Sequence, residues 1–339
     1  NIENFKSLGF IKDELNPWRK AKIQIGQSER SIKFKIHGTS ISPLLKGGFS
    51  LRVKHKKEDE YLDSMREFSL ISLKDDANIS TIVINKIADK YGLIAPHGKM
   101  VQLRVNNVSL GTFMMVEHHD KEWLERNHKL TNYTVIKSND DWDRKENFSG
   151  TAHISSFDNF IENKELKGTS GNNSIALGAL DLLFSAISRE DLDTIKKLID
   201  IDYLSRFLAL SVLANNAHPI AGDNLRYIYD FTTGKFKFLF RIEDTIKPIN
   251  NSLIEFNSSW FESYFVDSSN FDLFKILTRD EQIRKLRDSY LIKLIQDKDK
   301  LISDAKADYL SNYPAILEGD SSLRRHEIME DIFFLNLEN

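Results

Sequence analysis

The residues best equipped for chemistry in this 339-residue chain gather between Leu213 and Asp244. The stretch opens Leu213-Ala214-Asn215-Asn216-Ala217-His218 and continues through Gly222-Asp223-Asn224. Two short apolar runs follow, Leu225 to Asp230 and Lys235 to Phe240, joined by Thr232-Thr233-Gly234, and it closes on Arg241-Ile242-Glu243-Asp244. Two strands around such a turn make a hairpin. Asn224 starts the first strand and Asp244 follows the second, so the two can lie side by side. Phe236, Phe238, Phe240, Ile242 and Asp244 share one strand face, and Asp244 emerges where that buried face opens. Oxygen donors of this kind suit a hard divalent cation. With no cysteine and nine scattered histidines, thiolate and structural zinc sites are not expected. Asp223 and His218 can take or orient a proton, the imidazole because it titrates near neutrality. Far upstream, Lys46 stands in a Gly/Ser/Pro loop running from His37 to Gly48. A lysine there can reach phosphate oxygens while backbone N–H groups cradle them. The plainer alternatives are a solvated lysine, a hydrogen-bonded structural histidine and a turn-capping acid.

These groups need elements to position them. The chain is long enough for one large domain or two lobes. Its 41% apolar and 29% charged residues are those of a globular protein, and 47 basic against 50 acidic residues give no footprint for nucleic acid. No apolar run reaches the roughly 18 residues of a membrane span. The chain begins at Asn1 with no secretory signal pattern, which is expected either of a removed leader or of a fragment. Residues 22 to 54 read as strands: Ile32, Phe34 and Ile36 alternate with polar residues, as do the residues from Phe49 to Lys54. Phe68 to Leu73 is a further strand. Asp75-Asp76 precede a helix with an apolar stripe of Ile79, Ile82, Val83, Ile87 and Tyr91, closed by Gly92. Residues 101 to 117 form a hairpin turning at Asn106-Asn107, with Val101, Leu103 and Val105 inward. The second half is helical: Ile175 to Ile187, a charged stretch from Glu190 to Asp200, Leu204 to Leu213 capped by Asp202, and one helix from Arg279 to about Leu310. Asn139 to Gly150 and Glu165 to Asn173 are the expected low-order segments. Tyr227, Tyr229, Phe236 and Phe238 read as core rather than as a base-stacking platform.

Three stretches resemble the CotH (spore-coat protein H) family of atypical protein kinases, spanning roughly residues 37 to 244. His37-Gly38-Thr39-Ser40, Lys46 and Phe49-Ser50-Leu51-Arg52 match the family's arginine-glycine-x-serine, lysine and strand, with His37 in place of the arginine. Asn106, Leu110-Gly111-Thr112-Phe113 and Glu117 match a turn, strand and glutamate, with Trp123-Leu124 in the short helix beyond. The third stretch is the one from Leu213 to Asp244. It departs from the family at His218, where an aspartate two residues after an asparagine is usual, and at Arg241-Ile242-Glu243-Asp244, where tryptophan–aspartate–x–aspartate is usual.

The resemblance implies an α+β, kinase-like two-lobed fold with a β-rich N-terminal lobe and a helical C-terminal lobe. Its divisions are an extension (1–20), the N-lobe (21–130), the C-lobe with hairpin 225–244 (131–310) and a tail (311–339). It further implies ATP with Mg²⁺ or Mn²⁺, a metal held by Asp244 and Asn224, nucleotide contacts from Lys46 and Glu117, and a base at Asp223 or His218, of which Asp223 is favoured. For Glu117 a polar strand end is the plainer reading. The expected reaction moves the ATP γ-phosphate to Ser/Thr of a secreted or cell-surface protein, with a glycan or small-molecule acceptor as a variant. The alternative is a pseudokinase serving as a surface binding or adhesin module.

Overall fold

The computed structural model describes residues 15–38, 42–45, 48–56, 64–73, 79–138, 164–168, 173–214, 225–242 and 269–317, with Phe5, Ser7, Leu8 and Ile11. The molecule is α+β. Its first sheet has six antiparallel strands: β1 (Arg19–Ile25), β2 (Ser28–Ile36), β3 (Leu51–His55), β4 (Glu67–Ser72), β5 (Gly98–Val105) and β6 (Val108–Glu117). They lie in the order β1-β2-β3-β4-β6-β5. The β5–β6 turn holds Asn106 and Asn107 at φ 49° and 65°, left-handed values that asparagine tolerates better than most residues and that a two-residue hairpin turn needs.

Strand alternation gives this sheet two apolar faces. Ile32, Val53, Phe68, Leu70, Phe113 and Met115 cluster on one, with Val101 and Leu103 packed against them. Val105, expected inward as well, is exposed at the hairpin tip. Ile71, Met100, Met114 and Val116 point the other way and join the main core. Helix α1 (Ile79–Lys90) lies on that second face. A Cβ on Gly98 would sit 3.4 Å from Ile82 and from Val116, which shows how closely the helix approaches the sheet. The helix ends at Gly92, φ 75°, where Arg206 donates to the Tyr91 carbonyl at 2.7 Å.

After α2 (Lys121–His128), strands β7 (Tyr133–Ser138) and β8 (Lys164–Gly168) combine with β9 (Arg226–Asp230) and β10 (Lys235–Phe238) in a second sheet, ordered β10-β9-β7-β8. Strand β8 corrects the low-order reading of Glu165 to Asn173. Its sequence has little strand character, and pairing with β7 imposes the extended form. Helices α3 (Asn173–Ser188), α4 (Leu192–Leu198) and α5 (Ile201–Ala214) follow. The cap of α5 is Asp200, which accepts from the Tyr203 N–H at 3.1 Å; Asp202, expected in that role, instead pairs with Arg206 at 2.9 Å.

The single helix expected from Arg279 to Leu310 is two helices, α7 (Glu281–Gln296) and α8 (Lys298–Leu317), preceded by α6 (Ser269–Arg279). The break falls at Asp297, whose N–H still bonds the Lys293 carbonyl at 3.0 Å. Phe207 of α5 packs among Phe238, Phe240 and Phe274, with ring centroids 6.0, 5.4 and 6.2 Å away. Aromatic pairs of this geometry contribute about 0.5–1.5 kcal/mol each beyond their burial. Tyr227, Phe236 and Phe238 are fully buried and Tyr229 nearly so, as the core reading requires. Among the described residues no helix is long and apolar enough to cross a membrane.

Candidate functional site

Of the six residues that the sequence nominates, Glu117 is described; Lys46, His218, Asp223, Asn224 and Asp244 lie outside the described residues. The structure does show what their neighbours are tied to. Leu225 and the run Leu239 to Ile242 leave the hairpin at the same end, and Leu225, Phe240 and Ile242 are fully buried. Leu239 N–H donates to the Arg226 carbonyl at 3.2 Å, and Phe240 N–H donates to the Ile94 carbonyl at 2.8 Å. The Ile94 N–H in turn donates to the Tyr203 hydroxyl at 2.9 Å, which donates to the Phe238 carbonyl. Burial pushes the Tyr203 phenol far above its ordinary range, so it stays a neutral double partner. Ile242 is held by Asn85 of α1, whose amide donates to its carbonyl at 3.1 Å and accepts from its N–H at 3.2 Å. The chain segments flanking Asn224 and Asp244 are therefore fixed on two neighbouring runs of one hairpin.

The loop bearing Lys46 is anchored comparably. Asn16 donates to the Ile36 carbonyl at 2.9 Å and accepts from its N–H at 3.1 Å, and His37 N–H closes the loop onto the Ser50 carbonyl at 2.8 Å. Within the loop, the helical turn Ser42–Leu45 buries Leu44 against Phe5 and Ile11. Glu117 ends β6, its N–H bonded to the His97 carbonyl at 2.9 Å. Its carboxylate is 4% exposed and ion-paired with Arg126 of α2, which also donates to the Ser64 carbonyl. Burial raises the Glu117 carboxyl above its usual range, and Arg126 opposes the rise. A nucleotide contact from Glu117 would compete with that pair.

A charged group that the sequence did not single out sits next to it. Arg52 and Lys54 of β3 converge on Glu67 of β4, Lys54 at 3.0 Å, with the Glu67 side chain 5% exposed. Burial would raise the Glu67 carboxyl, but the two cations and their hydrogen bonds outweigh it and hold it below its usual range. Arg52 also contacts His118. Register places Arg52 opposite Ser69, and Ser69 opposite Val116, so Arg52 shares the face on which α1 lies. Two cations held on one buried acid, beside the closing point of the Lys46 loop, present positive charge of the kind phosphate requires. The signal was legible only as an acid opening an apolar strand at Glu67. Asn85 was legible as a lone amide on the apolar stripe of α1.

Among the described residues no group of three or more His, Asp or Glu could hold a metal. The class is thus an α+β protein with a hairpin whose ends are fixed beneath a helix of the first sheet. A model for the CotH kinase protein family matches residues 34–305, and the chain belongs to that family. No curated protein matches the chain.

Proposed function

We propose that this protein is a CotH-like kinase that transfers the γ-phosphate of ATP to Ser/Thr of an exported or surface protein, in a cleft between a strand-rich and a helical lobe. The observation that carries the reading is the family match, which runs through the Lys46 loop, the hairpin and the helices behind it. Asp244 and Asn224 offer one carboxylate and one amide oxygen. That donor set fits Mg²⁺ or Mn²⁺, which complete their coordination with phosphates and waters rather than with a protein cage. The bound cation would neutralise charge on the transferring phosphoryl group. Lys46, with Arg52 and Lys54, supplies cations for the phosphates. Asp223 orients the acceptor hydroxyl.

A second reading, a degenerate kinase acting as a surface binding module, is favoured by two departures. His218 stands where the family has its base-like aspartate, and Arg241-Ile242-Glu243 precede Asp244 where tryptophan–aspartate–x is usual. Incubation with γ-labelled ATP and Mn²⁺ or Mg²⁺ separates the readings. The kinase incorporates label and the Asp244→Asn variant does not, while that variant keeps its fold and loses metal-dependent stabilisation by nucleotide. Such stabilisation amounts to about 2.7 kcal/mol at a hundredfold excess over Kd. A parent protein that Mn-ATP stabilises but that transfers no label under either metal is the degenerate form.

A further inference from the structure

The inward face of α1 carries one amide among aliphatic side chains. Ile82, Val83, Ile84, Ile87 and Ala88 are all but fully buried, and Asn85 between them is 4% exposed. Burying an amide is costly unless every arm is partnered. Here both arms are used on one residue 157 positions away, the Ile242 main chain. Strand β10 has already ended at Phe238, so the amide stands in for the neighbouring strand that Ile242 lacks on that side. The helix is itself bolted down. Ser80 bonds the Tyr309 hydroxyl, Lys86 pairs with Asp308 at 2.5 Å, and Lys90 pairs with Asp304 at 2.9 Å. Ile242 is thereby referenced to α1 and α8. Asp244 follows two residues later, and two residues of chain span at most ~7 Å. Whatever its path, that carboxylate acts from within this reach of a point that Asn85 sets.

We propose that Asn85 is a positioning residue for the divalent cation: by clamping the Ile242 main chain it fixes the origin from which Asp244 reaches the metal that accompanies the nucleotide. The proposal rests on the kinase reading above and adds a residue outside the hairpin to that site. A partner that orients a metal ligand in this way typically contributes about 10- to 100-fold to metal affinity.

The test is a Mn²⁺ titration at saturating ATP, followed by thermal shift, on the parent, Asn85→Ala, Asn85→Asp and Ser80→Ala proteins. Asn85→Ala raises the Mn²⁺ midpoint at least about tenfold. Asn85→Asp, which keeps the acceptor for the Ile242 N–H but loses the donor, raises it less. Ser80→Ala removes a buried bond of the same helix, so it lowers the ligand-free melting temperature and leaves the midpoint in place. A midpoint in Asn85→Ala within about threefold of the parent, or an equal change in Ser80→Ala, overturns the proposal. A measurement on the parent alone keeps the question open to refutation should the Asn85 variants fail to fold. Linkage is reciprocal, so Mn-ATP must slow hydrogen exchange at the Ile242 amide, and unchanged exchange overturns the clamp's role. A parent with no Mn²⁺-dependent shift sinks the kinase reading and this proposal with it. A parent shift that Asn85→Ala retains in full sinks this proposal alone.

Discussion

At the scale of single residues, the side chains that could do chemistry and those that hold them in place belong to different parts of the chain. Asn85, Tyr203 and Asn16 touch only main chain at the strand ends, and each satisfies two backbone groups at once. Glu117 is committed to Arg126, and Glu67 to Arg52 and Lys54. The proton-handling role falls between Asp223 and His218. Asp223 immediately precedes Asn224 in a glycine-containing loop that can bend a carboxylate toward phosphate, whereas His218, with Pro219 behind it, suits fixing the loop. Acid–base groups contribute roughly 10²–10⁴ in rate. Asp223→Ala is expected to lose phosphotransfer by that much, and His218→Ala by less, in initial rates with labelled ATP. The reverse ranking assigns the role to His218.

At the scale of elements, caps and turns follow the sequence where the responsible residue is local. Asp120 caps α2, accepting from the Trp123 N–H at 2.9 Å. Burial pushes its carboxyl up to about 6, with Glu122 and Glu67 adding to the rise, while the cap bond and Arg66 oppose it. A carboxyl raised in the folded state stabilises that state below its ordinary pKa near 3.8 and loses the contribution as pH climbs through about 6. Asn caps a helix about as well as Asp and does not ionise. The melting temperature of Asp120→Asn, relative to the parent, should therefore rise between pH 4 and pH 7. A difference that stays constant across that range would show that Asp120 titrates normally. Strand β8 is the opposite case, an element formed because β7 offers an edge rather than because its own residues demand it.

At the scale of the whole molecule, the segment from Leu93 to His97 joins the two sheets. Ile94 forms a parallel bridge with Leu239, and His97 accepts from Glu117 at the end of β6. The main apolar cluster is continuous across this joint, from Met114 and Val116 to Tyr227 and Phe238. From the far end of the chain α8 returns to β5, where Asn312 accepts from the Met100 N–H at 2.7 Å. Tyr203→Phe removes only a hydroxyl, but it strands a buried N–H on Ile94 and a buried carbonyl on Phe238. Groups left unpaired in this way cost about 1–3 kcal/mol each at most. Urea unfolding of the variant should show a lower midpoint at an unchanged slope, and an unchanged midpoint would mean that the hydroxyl is not the joint.

Most strands and helices were legible in the sequence because period and turn chemistry act locally: Ile32-Lys33-Phe34-Lys35, the Asn106-Asn107 turn and the apolar stripe of α1 need no partner to be recognised. The resemblance in three stretches led to the family, since ordered residues such as Gly222-Asp223-Asn224 are carried by sequence itself. Pairing was not legible. That β7 and β8 extend the hairpin into a sheet, that Glu67 gathers Arg52 and Lys54, and that Asn85 reaches Ile242 are contacts between residues far apart in the chain. No local pattern encodes them, because a side-chain amide or carboxylate reveals its partner only when packing brings a complementary group within about 3 Å.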